Sequence, residues 1–370
     1  MTKRILIIGG YGNFGRFIAR ILAREDDMQV IIAGRRQKNA DAMAAQLSAV
    51  NRPEAVTLDI NNGLAEALRG IRPDIVIHTS GPYQSQDYRV ARACIAHGCH
   101  YIDLADAREF VSNIGRLDRE ATANRVLVCS GASSVPTLTS AIIDHYIVNF
   151  GHLDSVKYGI STAQRTNRGL ATTSAILSYA GKPFTTLLDG KMRQVYGWMD
   201  LNFRPFWDLN NRPLGNCDIP DLALFPSRYP TLKTVEFQAG LELKFLHIIL
   251  AMMSWLVRIR LVPSLAPLAP YLLSISRVFD FIGTQDSGFY MALQGCAENG
   301  DSKKVLFEII AREGDGLYIP TIPAILMAKK LARGEISRIG ATQCMGFIEL
   351  DEYLMTMKEF NVQWRENITR

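Results

Sequence analysis

The sequence predicts an α/β protein: an N-terminal, doubly wound parallel sheet followed by a second α/β domain built on a mixed sheet. Three observations carry this expectation. The first third alternates short apolar runs with helix-period runs. Its opening strand leads directly into a glycine-rich turn. Beyond residue 150 the texture changes to strand-like runs separated by proline- and aromatic-rich stretches. At 370 residues the chain exceeds one typical domain. The expected division is 1-150, 151-317 and 318-370.

Each element has a local reason. Ile5–Ile8 are four consecutive apolar residues, as a strand buried on both faces requires. Phe14, Phe17, Ile18, Ile21 and Leu22 then recur at helical spacing, and Val30–Ala33 gives a second strand. Helix signals follow over 38–48, then a strand at 56–60, a short helix at 63–68 and a fourth strand at 74–78. A helix over 86–97 stops at Gly98. A fifth strand at 101–104, a helix over 108–123 and a sixth strand at 125–129 complete a doubly wound, Rossmann-type domain. Pro136 opens a helix to about residue 149. Strands of a different sheet are expected at 155–161, 232–237, 289–295 and 304–311. Residues 322–331 are helical by period, with Gly334 as a stop.

The turn Gly10-x-Gly12-x-x-Gly15 sits between the first strand and its helix, the context a dinucleotide fingerprint needs. Gly10 is expected to permit the tight turn, Gly12 to admit a pyrophosphate, and Gly15 to let helix and strand pack closely. Asn13 and Phe14 stand at the helix start, where free N–H groups and the positive dipole end face phosphate. NAD sites usually place a carboxylate about 20 residues further on. Here the second strand ends Gly34-Arg35-Arg36 instead. Guanidiniums suit bidentate phosphate binding, so NADP(H) is expected over NAD(H), with Arg35 as the main contact and Arg36 beside it. Asp59 closes the third strand where an adenine edge belongs.

Composition narrows the rest. A net charge of +5 points neither to nucleic acid nor to an acidic tail. Six cysteines form no CxxC pair or zinc spacing, which reads as free thiols in a reducing compartment and no metal site. The short apolar run after Lys3-Arg4 is a first strand rather than a leader, so a cytoplasmic protein is expected. The stretch 241-282 is strongly apolar, but Arg258, Arg260 and three prolines interrupt it before spanning length. Burial under the domain or against a second subunit, as in a homodimer, is expected ahead of a membrane-surface contact.

Four segments, GGYGNFGRFIARILA, HTSGPYQSQDYRVARACIAHGCHYIDLADAREF, SGASSVPTLTSAI and GLATTSAILSYAG, together with the tail from GLYIPTIPAILMAKKLARGEI to GATQCMGFIELDEYL, resemble the saccharopine dehydrogenase-like family. The resemblance implies an NADP-binding Rossmann domain, an inserted second domain and a C-terminal segment returning to the first. It also implies that Ser80, Gly81 and Pro82 form a cofactor-contacting turn, and that Asp103 belongs to a YID motif.

Ligands in this fold bind outside the carboxyl ends of the strands. That rule selects Tyr83 and Asp103 as catalytic candidates, with a cap carboxylate as the alternative for Asp103. His78 is a weaker candidate. Cys99 and His100 lie at the wrong strand end. From the second domain, Arg165, Arg168, Thr172 and Thr173 are candidate substrate contacts, with helix capping as the alternative for the threonines. The leading expectation is an NADP-dependent oxidoreductase transferring hydride to or from a C=O, C=N or C=C bond of a small substrate. The alternative is a non-catalytic NADP-binding scaffold or redox sensor, with a membrane surface as one setting for it.

Overall fold

The computed structural model describes residues 2–167 and 169–369. The chain forms two compact units, one of residues 1–140 with 318–353 and one of 141–317 with 354–370.

The first unit is built on a seven-stranded parallel sheet. Its strands are β1 (Lys3–Ile8), β2 (Met28–Gly34), β3 (Glu54–Thr57), β4 (Ile75–His78), β5 (His100–Asp103), β6 (Leu127–Ser130) and a late strand, Gly340–Gln343. Their spatial order is β3-β2-β1-β4-β5-β6, with the late strand beside β6. Strand order reverses between β1 and β4, and that crevice is the ligand site in such sheets. Ile5, Leu6 and Ile7 are wholly buried, which is why β1 shows no alternation. Helix α1 (Asn13–Leu22) buries Phe17, Ile18, Ala19 and Leu22, the face its periodicity marked.

One expected element breaks. The run 108–123 is a helix Arg108–Ser112, a tight turn Ile114–Leu117 and a second helix Asp118–Ala123. Asn113 explains the break, since its side-chain amide donates to the Glu109 carbonyl at 2.9 Å and competes with helix continuation. Gly115 follows at once and adds a low propensity.

The tail 318-370 divides. Helix Ile322–Ala332 is almost wholly buried in the first unit, and Gly334, at φ +72°, stops it. Tyr318 stacks on Phe17 of α1 with ring centroids 4.0 Å apart. Val362–Thr369 instead joins the second unit, paired with Ser302–Ala311.

That second unit has its own seven-stranded sheet, in the order Asn202–Pro205, Asn211–Asn216, Thr234–Leu241, His152–Thr162, Ser287–Cys296, Ser302–Ala311, Val362–Thr369. Only the pair Thr234–Leu241 with His152–Thr162 is parallel among those described. A hairpin, Pro183–Leu188 with Lys191–Tyr196, turns on Asp189-Gly190, both at positive φ. The apolar stretch forms helices Lys244–Arg258 and Ala269–Val278. Among the described residues, no helix is long and apolar enough to cross a membrane.

Candidate functional site

The glycine turn is built from backbone. The N–H groups of Gly9 and Gly10 both donate to the Ala33 carbonyl, at 2.9 and 3.2 Å. Gly12 N–H closes the turn on the Gly9 carbonyl at 2.8 Å. The left-handed residue is Gly9, at φ +81°, not Gly10 as the motif suggested. The doublet Gly9-Gly10 was the visible signal, and the motif's numbering hid it. Gly15 lies against this turn so closely that a Cβ would stand 2.3 Å from the Gly9 carbonyl oxygen and 2.7 Å from Gly10 Cα. Helix α1 then starts with no side-chain cap and no acid in its first turn. Gly12 is exposed, with Asn13 and Phe14 half-buried behind it. Uncapped N–H groups, a positive dipole end and an open glycine fit the diphosphate of a dinucleotide.

At the end of β2, the Tyr11 ring lies over Gly34, where a Cβ would meet it at 2.4 Å. The Tyr11 hydroxyl accepts the Arg36 N–H at 3.2 Å. Arg35 and Arg36 are exposed beside it. Asp59 accepts hydrogen bonds from Asn61 N–H and the Asn62 amide, at 3.0 and 3.3 Å. These bonds hold its carboxyl below the usual range, and the Arg35 charge adds to the effect. Asp59 and Arg35 therefore share one edge of the site.

Beyond β4, Thr79 ties the next loop to β1. Its N–H and its hydroxyl both donate to the Ile8 carbonyl, each at 2.9 Å. Gln86 pins the turn that follows, donating to the carbonyls of Ser80 and Pro82 at 2.6 and 3.0 Å. Ser80, Gly81 and Pro82 are half-buried there, next to the glycine turn, since a Cβ on Gly9 would meet Ser80 Oγ at 2.7 Å. Sequence reasoning missed Gln86, because nothing local distinguishes it from any other polar residue.

Tyr83 and Asp103 come together with His78 in a buried cluster. The Tyr83 hydroxyl donates to the His78 carbonyl at 2.6 Å, and its ring meets the His78 ring edge-on at 5.3 Å. Burial pushes the Tyr83 hydroxyl well above its ordinary pKa. Asp103 Oδ1 accepts from Ala105 N–H, the Ser130 hydroxyl and Gly131 N–H, at 3.0, 3.0 and 2.8 Å. It thereby joins the ends of β5 and β6. Burial pushes its carboxyl up to about 6 despite these donors. His78 shares a 3.1 Å hydrogen bond with the Tyr101 hydroxyl, and burial lowers it to about 4, so the ring is neutral near pH 7. The hydrogen bonds of Tyr83 and Asp103 hold both residues inside the first unit, Asp103 with no exposed surface.

The saccharopine dehydrogenase NADP binding domain model matches residues 5–129. By this match, residues 5–129 are similar to the NADP-binding domain of saccharopine dehydrogenases. The first unit holds a nicotinamide dinucleotide-binding domain. Proteins from two strains of Mycobacterium tuberculosis, provisionally named trans-acting enoyl reductases, are each 30% identical over 139 residues, 36% of this chain. The match spans 33% of the length of those curated relatives. Apo saccharopine dehydrogenase (L-Glu forming) from Saccharomyces cerevisiae superposes with a TM-score of 0.73 over 100% of both chains, at 14% identity. That likeness shows a shared fold.

The second unit places its candidates as follows. Arg165 is exposed, and its guanidinium donates to the carbonyls of Asp280 and Phe281 at 2.8 and 3.2 Å. Thr173 turns back on the Gly169 carbonyl at 3.2 Å, inside helix Leu170–Ser178 rather than at its cap. Thr172 is exposed on the same helix. Arg168 lies outside the described residues.

Proposed function

We propose that the chain is an NADP(H)-dependent oxidoreductase that transfers hydride to or from a C=O, C=N or C=C bond of a small substrate. The observation that carries this reading is the open Gly12 turn feeding an uncapped, acid-free helix start, with Arg35 and Arg36 exposed where a ribose-binding carboxylate would otherwise stand. Gly12, Asn13 and Phe14 hold the diphosphate, and Arg35 holds the 2′-phosphate. A bound nicotinamide would supply or accept the hydride. The provisional name of the mycobacterial relatives favours a C=C bond among the three. Arg165, Arg168, Thr172 and Thr173 stay the candidates for contact with a substrate's polar group.

The internal commitments of Tyr83 and Asp103 favour one other reading, a non-catalytic NADP(H)-binding protein. Two measurements decide. Fluorescence titration compares NADPH with NADH, and tighter NADPH binding is expected. NADPH oxidation is then followed against amino-acid/keto-acid mixtures and against lipophilic enones. Turnover with any of them, lost in Gly12→Asp, supports the enzyme. Tight binding without turnover across the panel favours the non-catalytic reading, and NADH binding as tight as NADPH overturns the cofactor assignment.

A further inference from the structure

Helix Lys244–Arg258 is inside out. Phe245, Ile248, Met252, Trp255 and Ile259 recur at alternating intervals of three and four residues, so they share one stripe. All five are exposed, Met252 by 63% and Trp255 by 51%. The opposite face, with His247, Leu250, Ser254 and Val257, is the buried one. It carries the polar groups: His247 accepts the Leu241 N–H at 3.3 Å, and Ser254 bonds the Leu250 carbonyl at 2.8 Å. This face packs tightly, since a Cβ on Gly181 would stand 2.0 Å from the Ser254 carbonyl oxygen. A water-facing helix normally shows the reverse arrangement.

The apolar face continues. Phe245 meets Phe279 edge-on at 5.0 Å, and helix Ala269–Val278 presents Tyr271, Ile275 and Val278 outward. An exposed apolar surface of this kind marks a contact site. Charge names the occupant. From residue 243 to residue 279, every formal charge is positive: Lys244, Arg258, Arg260 and Arg277. The flanking acids are turned to internal work. Glu242 is buried against Arg212 at 3.3 Å and accepts from Gln164 N–H at 2.7 Å, and Asp280 accepts from the Gln164 amide at 2.8 Å. A two-fold contact with a second copy would set this all-positive stretch against itself. An anionic bilayer complements it, with apolar side chains entering the headgroup boundary and arginines meeting lipid phosphates. Trp255 and Tyr271 are the amphipathic rings suited to that boundary.

We infer that the exposed face of helices Lys244–Arg258 and Ala269–Val278 lies on the surface of an anionic phospholipid membrane, without crossing it. The test is flotation of the purified full chain with phosphatidylcholine vesicles, with and without phosphatidylglycerol, alongside light scattering for molar mass. Flotation with the anionic vesicles is expected. Arg258→Ala combined with Arg260→Ala should weaken partitioning roughly 25-fold, about a factor of five for each charge. Met252→Glu, at an exposed position, should abolish it while leaving thermal unfolding unchanged. Protein that stays with the unbound fraction overturns the assignment. So does equal flotation on both vesicle types, or a two-chain mass in solution that Met252→Glu reduces to one.

Discussion

Gly12→Ala and Gly15→Ala separate folding from cofactor binding, because the two added methyls meet different things. On Gly15 the Cβ stands 2.3 Å from the Gly9 carbonyl oxygen, 2.7 Å from Gly10 Cα and 2.9 Å from the Gly9 carbonyl carbon. All three are backbone atoms and none can rotate away. Overpacking of this kind costs about 1–3 kcal/mol. For a unit of this size that lowers the apparent melting temperature by about 2–4 °C per kcal/mol. On Gly12 the only close neighbour is the Gly9 carbonyl oxygen at 3.0 Å, and the residue is extended, at φ −73° and ψ 177°. Its alanine variant meets that one backbone oxygen, which must give by a few tenths of an ångström, so it should cost less than Gly15→Ala, about 1 kcal/mol or below. Yet its methyl fills the approach to the helix N–H groups. Losing one charge-assisted hydrogen bond there is worth about 1.5–3 kcal/mol, or about tenfold to 150-fold in Kd. The assay pairs thermal unfolding without ligand with fluorescence titration by NADPH. Gly15→Ala should move both readouts and Gly12→Ala chiefly the second. A Gly12→Ala variant that binds NADPH with the parent's Kd would refute the placement of the diphosphate.

Three further outcomes are expected. Arg35→Ala should weaken NADPH binding by about tenfold or more and change NADH binding little, since only the 2′-phosphate contact is removed. An equal loss for both cofactors would show that Arg35 supports the fold or the adenine instead. Asp103 binds its proton more tightly when folded, at about 6 against an ordinary 3.8, so its contribution falls as pH rises through that window, by about 3 kcal/mol in full. Urea unfolding of the parent and of Asp103→Asn at pH 4, 5, 6 and 7 checks this, and a pH-independent difference between them would rule it out. His78 acts with the opposite sign. Its folded pKa of about 4 lies below the ordinary 6.5, so stability is lost as pH falls through that window. In the same urea series, His78→Asn should remove that loss and leave the slope of Asp103 visible.

Much of the first unit was legible because its signals are local. β1, the glycine turn and α1 are consecutive in the chain, and periodicity and turn chemistry specify each of them. The four main strands of the second sheet were legible for the same reason. Two of the strands that went unread depend on distant partners. Val362–Thr369 is mostly exposed and carries charged and amide side chains, and it is a strand only because Ser302–Ala311 pairs with it. Gly340–Gln343 is four residues long and completes an edge on β6. The Asp189-Gly190 hairpin is different, since an Asp-Gly turn signal stood in plain sight.

By itself the sequence determined the dinucleotide-binding unit, the absence of a carboxylate at the end of β2, and the run of apolar residues with only positive charges after residue 243. Tertiary structure alone decided that Gly9 takes the left-handed turn, that Gln86 holds the loop after β4, and that Tyr83 and Asp103 serve as buried anchors. It also decided that the apolar stripe of Lys244–Arg258 faces outward. The physical reason is range. Backbone preference and hydrophobic period act over a few residues, whereas burial and hydrogen-bond partnership depend on groups brought together from far along the chain.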